Sequence, residues 1–170
     1  MLSAVLLTIF PFAMIYAASS DLVSMTIANR VSLGLVAGFV LVAALSGMAL
    51  PMIGLHLAVG FGCLAVTFTL FAMGWIGGGD AKLLAATAVW FGPTLDLANY
   101  VLLGAVYGGL LTVGLLVTRV FFVPVTGVDF IDRLLEPTTG VPYGIALGAA
   151  GLTVYSESAW MTLALTALGG

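Results

Sequence analysis

The chain has 170 residues, of which 62% are hydrophobic and 6% charged, with a formal net charge of −3 and a mean hydropathy of +1.27. A soluble domain carries about one quarter charged residues, so this composition cannot build a water-facing surface, and it argues against a nucleic-acid partner. Lipid is the expected solvent, and at ~20 apolar residues per crossing the length has room for about six spans and no separate soluble domain.

Apolar runs cover residues 2–18, 31–50, 52–74, 81–93, 97–118 and 141–156, divided by breaks such as Leu50-Pro51 and Gly92-Pro93. They predict an all-α, polytopic membrane protein of about six transmembrane helices, with residues 1–170 as a single domain. The first run has no basic segment before it and no A-x-A-like cleavage site, so it reads as a retained span. The fourth run is short and starts near Asp80. Gly34/Gly38, Gly104/Gly108 and Gly144/Gly148 have the small-x-x-x-small spacing that lets helices approach closely.

The fifth connection is the one sizeable polar segment. Its "VDFIDRLLEP" sets Asp129, Asp132, Arg133 and Glu136 against Val128, Ile131, Leu134 and Leu135 at helical spacing, which predicts a short helix in the headgroup plane, ended by Pro137 and Gly140. It serves either as a connector or in docking substrate. After Ser156-Glu157-Ser158 the apolar tail 159–168 either extends the sixth helix or lies at the interface.

The cations set the orientation. Arg30 falls in the first connection, Lys82 in the third, and Arg119 and Arg133 in the fifth, while the second and fourth connections carry none. The positive-inside rule then makes the odd connections cytoplasmic and puts both termini outside. Asp21 and Asp80, in the first and third connections, return to the same face.

An ionised carboxylate near hydrocarbon costs several kcal/mol unless it is solvated, paired or protonated. Asp96, Asp129, Asp132, Glu136 and Glu157 fall in connections or near span ends, where water meets that cost. Asp21 and Asp80 are harder to dismiss. Helix capping would account for each, since Asp80 follows Gly77-Gly78-Gly79 and opens a run of good helix formers. Taken as one site, two like charges held close retain a single proton between them. The ionised partner then activates water for attack on a peptide carbonyl, and the protonated partner acts as the acid. The three glycines would let an extended substrate backbone pair with a loop free of side chains. Lys82 either snorkels to the interface or helps position substrate.

These residues resemble a known family. "GGGDAK", residues 77–82, resembles the G-x-G-D signature of polytopic aspartic proteases, in particular the type IV prepilin peptidases. "DLVSMTIANRVS", residues 21–32, resembles that family's first active-site segment, and "VPYGIALGAAG" its last helix. The resemblance makes Asp21 and Asp80 the catalytic pair and Gly77 and Gly79 the signature glycines, and Gly77, Gly78, Gly79, Lys82 and Asn29 are the candidate substrate contacts. Ala28 stands where the family has proline before Asn29. The paired C-x-x-C motifs of larger members, associated with methylation, have no counterpart here, where Cys63 is a lone cysteine in an apolar run. The short form resembles the peptidases of Flp/Tad-type pili. That implies prepilin and pseudopilin substrates, cut at the cytoplasmic edge of a bacterial inner membrane after a glycine and before the substrate's hydrophobic helix, with lipid and the pilus assembly machinery as the other partners.

Two rival readings use the same residues. In a small proton- or ion-coupled transporter the carboxylates would carry charge from mid-bilayer, and in a structural assembly subunit they would be replaceable caps. No metal and no cofactor is expected. His56 reads as a hydrogen-bonded interfacial residue near the outer end of the third helix, and Trp75, Trp90 and Trp160 as interface anchors.

Overall fold

The computed structural model describes residues 2–169, so the terminal Met1 and Gly170 lie outside the described residues. Among these the chain is all-helical, with α1 at Leu2–Ser24, α2 at Asn29–Leu45, α3 at Leu50–Ala72 and α4 at Gly78–Phe91. Four more follow: α5 at Leu95–Phe121, α6 at Asp129–Leu135, α7 at Tyr143–Glu157 and α8 at Ala159–Gly169. The helices over Ser3–Ser24, Leu50–Ala72 and Leu95–Phe121 are long and apolar enough to cross a membrane, and α2 and α8 are shorter apolar helices.

α4 forms the centre of the bundle, packed against α2, α3, α5 and α7. At 14 residues it measures about 21 Å, against about 35 Å for the 23 residues of α3. Ala81, Ala85, Ala86 and Ala88 are buried, and their small side chains bring the neighbouring backbones close. Gly60 of α3 meets α4 in the same way, since a Cβ there would stand 3.2 Å from the Ala85 carbonyl.

Several element ends differ from the sequence reading. α1 continues through "AASSDLVS" to Ser24, which puts Asp21 in its last turn and not in a connection. The serines allow this because their hydroxyls turn back onto the backbone, Ser24 Oγ donating to Ser20 O (2.7 Å) and Ser20 Oγ to Thr26 O (2.8 Å). α2 stops at Leu45, five residues short of the apolar run, because Ser46 ends it and Gly47 takes a left-handed φ of 74°. α5 reaches Phe121, so Arg119 belongs to a helix end. α6 forms where the amphipathic spacing places it. The tail does not extend α7: Ser158 breaks the helix in an extended conformation, and α8 packs against α1 and α7.

Two of the three tryptophans also depart from expectation. Trp75 is exposed, but Trp90 and Trp160 are buried in an aromatic cluster with Phe10, Phe39, Phe91 and Tyr155. Each indole N–H finds a carbonyl inside the bundle, Trp90 Nε1 donating to Leu35 O (2.9 Å) and Trp160 Nε1 to Trp90 O (2.7 Å), so neither ring needs the headgroup layer. His56 is hydrogen-bonded as expected but buried inside the bundle, not interfacial: it stacks on Phe39 and its Nδ1 donates to Val89 O at 2.8 Å. Of the glycine pairs, Gly104/Gly108 and Gly144/Gly148 pack against neighbouring helices, whereas Gly38 does and Gly34 faces open space.

Candidate active site

The cluster at the N-terminal end of α4 lies about 15 Å along the helix from Trp90, at 1.5 Å per residue. The C-terminal end of α1 and the N-terminal ends of α2, α4 and α7 converge there. Asp21, in the last turn of α1, is 6% exposed, and its Oδ2 accepts the Gly144 N–H at 2.7 Å. Gly144 belongs to the first turn of α7, whose N-cap Pro142 offers no capping side chain. Asp21 therefore satisfies one of the orphan donors of another helix and places its negative charge at that helix's positive end. A side chain at 144 would displace Asp21 or Ile27, because a Cβ would fall 2.8 Å from both Asp21 Cβ and Ile27 Cδ1.

Asp80 is the third residue of α4, and its carboxylate turns back toward the N–H of Gly77, the N-cap. This is half of a capping box, so Asp80 does support its helix, though from inside the first turn. It lies within Coulombic reach of Asp21. The connecting side chain is Ile27, buried beneath the α1–α2 turn: it packs against Asp21's neighbour Gly144 on one side and against Gly79 on the other, where a Cβ would be 3.2 Å from Ile27 Cβ.

The glycine triplet has a different conformation from the side-chain-free loop expected. Gly78 and Gly79 are helical, and only Gly77 is extended (φ −71°, ψ 146°). The left-handed residue of this connection is Gly74, with φ 75°. The triplet is small for packing: Gly78 is pressed by the Phe71 ring and Gly79 by Ile27. Thr67 Oγ1 also donates to Ala81 O (3.1 Å), pinning the first turn of α4 to α3.

The turn that carries Asp21 is held from several sides. Met25 has φ 54°, a conformation that costs a non-glycine residue about 1 kcal/mol, and its N–H bonds to Asp21 O at 2.8 Å. Arg133 of α6 donates through Nη1 to Val23 O (2.8 Å). Arg119 of α5 in turn donates through Nε to Leu134 O (2.8 Å) and through Nη2 to Gly140 O (3.0 Å). The fifth connection is thus a strap from α5 across to the end of α1. Sequence spacing gave no sign of Gly144, Ile27 or Arg133 as neighbours of Asp21; the "VPYG" segment was the available signal for Gly144.

All four cations gather at this end. Lys82 Nζ donates to Asn29 Oδ1 (2.9 Å), and Arg30 donates to Tyr16 OH (2.7 Å), with its guanidinium 5.8 Å from the Tyr16 ring centroid. Outside the spans, hydrogen bonds from the Thr126 hydroxyl, then from the N–H groups of Thr126 and Gly127, hold the Asp132 carboxyl below its usual range. Among the described residues no three His, Cys, Asp or Glu side chains converge on a metal position.

The type IV leader peptidase family matches residues 8–117, well over half of the chain and a stretch that includes both aspartates. The chain belongs to that family. It is accordingly an aspartic prepilin peptidase and a multi-pass membrane protein. Curated proteins and solved structures gave no match. In this prepilin peptidase the structure brings Asp21, Asp80, Gly77, Gly79, Asn29 and Lys82 to one end of the bundle. Lys82 faces away from the carboxylates, since two residues along a helix turn a side chain through about 200°.

Proposed function

We propose that Asp21 and Asp80 form the catalytic pair and cut the leader from type IV and Flp-like prepilins and pseudopilins at the cytoplasmic membrane face. One observation carries this reading: two carboxylates 59 positions apart in the sequence are brought from separate helices to within Coulombic reach of each other, Asp21 being buried. Close like charges retain one proton between them. The ionised carboxylate takes a proton from water as the oxygen attacks the scissile carbonyl, and the protonated one donates to the developing oxyanion. Collapse of the tetrahedral diol breaks the C–N bond: the leaving amine takes the proton held by the first carboxylate, and the second carboxylate takes back a hydroxyl proton as the carbonyl re-forms.

The reading has α1 to α5 and α7 as six spans of a single domain, with both termini outside and the site toward the cytoplasm. Its support is the gathering of Arg30, Lys82, Arg119 and Arg133 at the aspartate end. Gly77, the one extended residue of the triplet, offers backbone for pairing with substrate, and Lys82 and Asn29 flank its approach. Co-expression with a candidate prepilin tests the pair. Asp21→Asn and Asp80→Asn should each abolish processing while the protein accumulates in the membrane, and normal cleavage by either variant would refute the mechanism.

A further inference from the structure

A groove of about 680 Å³ runs between α2, α3 and α4, and nothing in the two-aspartate chemistry uses it. Each helix contributes a stripe at helical spacing: Leu33 and Val36 from α2, Leu64 and Phe68 from α3, Ala85 and Val89, with Ala86 beside them, from α4. The α4 alanines form a floor of small side chains, and the others are apolar walls. Polar lining is confined to one end, where Asn29, Ser32 and Lys82 stand beside the first turn of α4. We propose that this groove seats the apolar helix of the substrate and delivers the peptide before it to the carboxylates, an inference that rests on the function proposed above.

Dimensions fit one face of a helix. The α3 stripe from Leu57 to Phe68 is about 16 Å long, and a helix of ~5 Å radius over that length occupies about 1,250 Å³. The groove takes roughly half that girth and leaves the rest against lipid. The Gly60 and alanine floor lets the guest backbone approach closely, which is how helices associate where lipid removes the hydrophobic drive.

The polar end selects a peptide over an acyl chain. The Lys82 hydrogen bond goes to the neutral amide oxygen of Asn29, so its charge is not cancelled by that partner. The Ser32 hydroxyl, one turn deeper than Asn29, has no hydrogen-bond partner. Backbone carbonyls arriving at this end satisfy both groups, whereas hydrocarbon offers them nothing. The groove is also continuous with the site through Lys82, two residues from Asp80. Because those side chains point to opposite sides of α4, the guest must cross the first turn of that helix as extended chain. Two or three residues, about 7–10 Å, are sufficient.

The test uses substitutions at exposed positions. Ala65→Trp fills the groove from α3, while Val113→Trp makes the same change on the outer face of α5. Processing of a prepilin in proteoliposomes should show KM about tenfold higher for Ala65→Trp with kcat within twofold, and wild-type values for Val113→Trp. A benzophenone side chain at Leu33 or Phe68 should cross-link to the apolar segment of the prepilin, and one at Val113 should not. Wild-type kinetics for Ala65→Trp, a fall in kcat alone, or cross-links to lipid only overturn the groove while leaving the two-aspartate reading intact. No cleavage by the wild type overturns both.

Discussion

A single backbone N–H, that of Gly144, fixes where the Asp21 carboxylate points, across 123 residues of sequence. Gly144→Ala drives a methyl into Asp21 and Ile27 and should lower kcat by about 10²-fold, the scale of a 1 Å misplacement, with the folded protein retained in the membrane. Circular dichroism and processing assays on the same preparation separate the two effects. Asp132 gives a residue-scale prediction in pH. Its carboxyl is held below the usual value of 3.8 by Thr126 and Gly127, so the ordering it provides is complete above that value and is lost as pH falls through the lower, folded one. Amide exchange at Thr126 and Gly127 should stay slow at neutral and mildly acid pH, and Thr126→Val should speed it across that range. Asp21 and Asp80 were legible in the sequence because a carboxylate is conspicuous among apolar residues. Gly144 and Ile27 were not, because their role arises only when α7 and the α1–α2 turn meet.

Among the elements, α4 and the strap through α6 matter most. α4 is short and alanine-rich because it is enclosed by other helices, and that enclosure is why Trp90 is buried although it sits near a span end. Phe39→Ala removes a stack on His56 and edge contacts to Trp90 and Trp160. A soluble core would lose about 3–5 kcal/mol, but lipid replaces water as the reference here, so mainly the packing part remains. Thermal unfolding in detergent should report about 1–3 kcal/mol at the aromatic end, with kcat of the remaining folded enzyme unchanged. Arg133→Gln releases Val23 O and should reduce kcat several-fold, while Arg133→Lys recovers part of it. The amphipathic pattern of α6 was readable from its sequence. Its tethers were not, since Arg119 and Arg133 read equally well as free interfacial charges.

For the whole molecule, the pattern of apolar runs carried the helix order, and the helix ends shifted where serine hydroxyls prolonged α1 or a left-handed glycine stopped α2. The orientation proposed from the cations predicts that a cysteine at Thr126, in a Cys63→Ala background, is labelled by an impermeant reagent from the cytoplasmic side, and one at Pro93 from the other. The proposed function joins these levels in a pair of acids acting as one unit. The most direct measurement is the double-mutant comparison of Asp21→Asn, Asp80→Asn and the two combined, by single-turnover cleavage of a prepilin in proteoliposomes. If the pair shares its proton, either substitution alone removes essentially all activity and the combination is no worse. Losses that multiply, or substantial cleavage by either single variant, would contradict it.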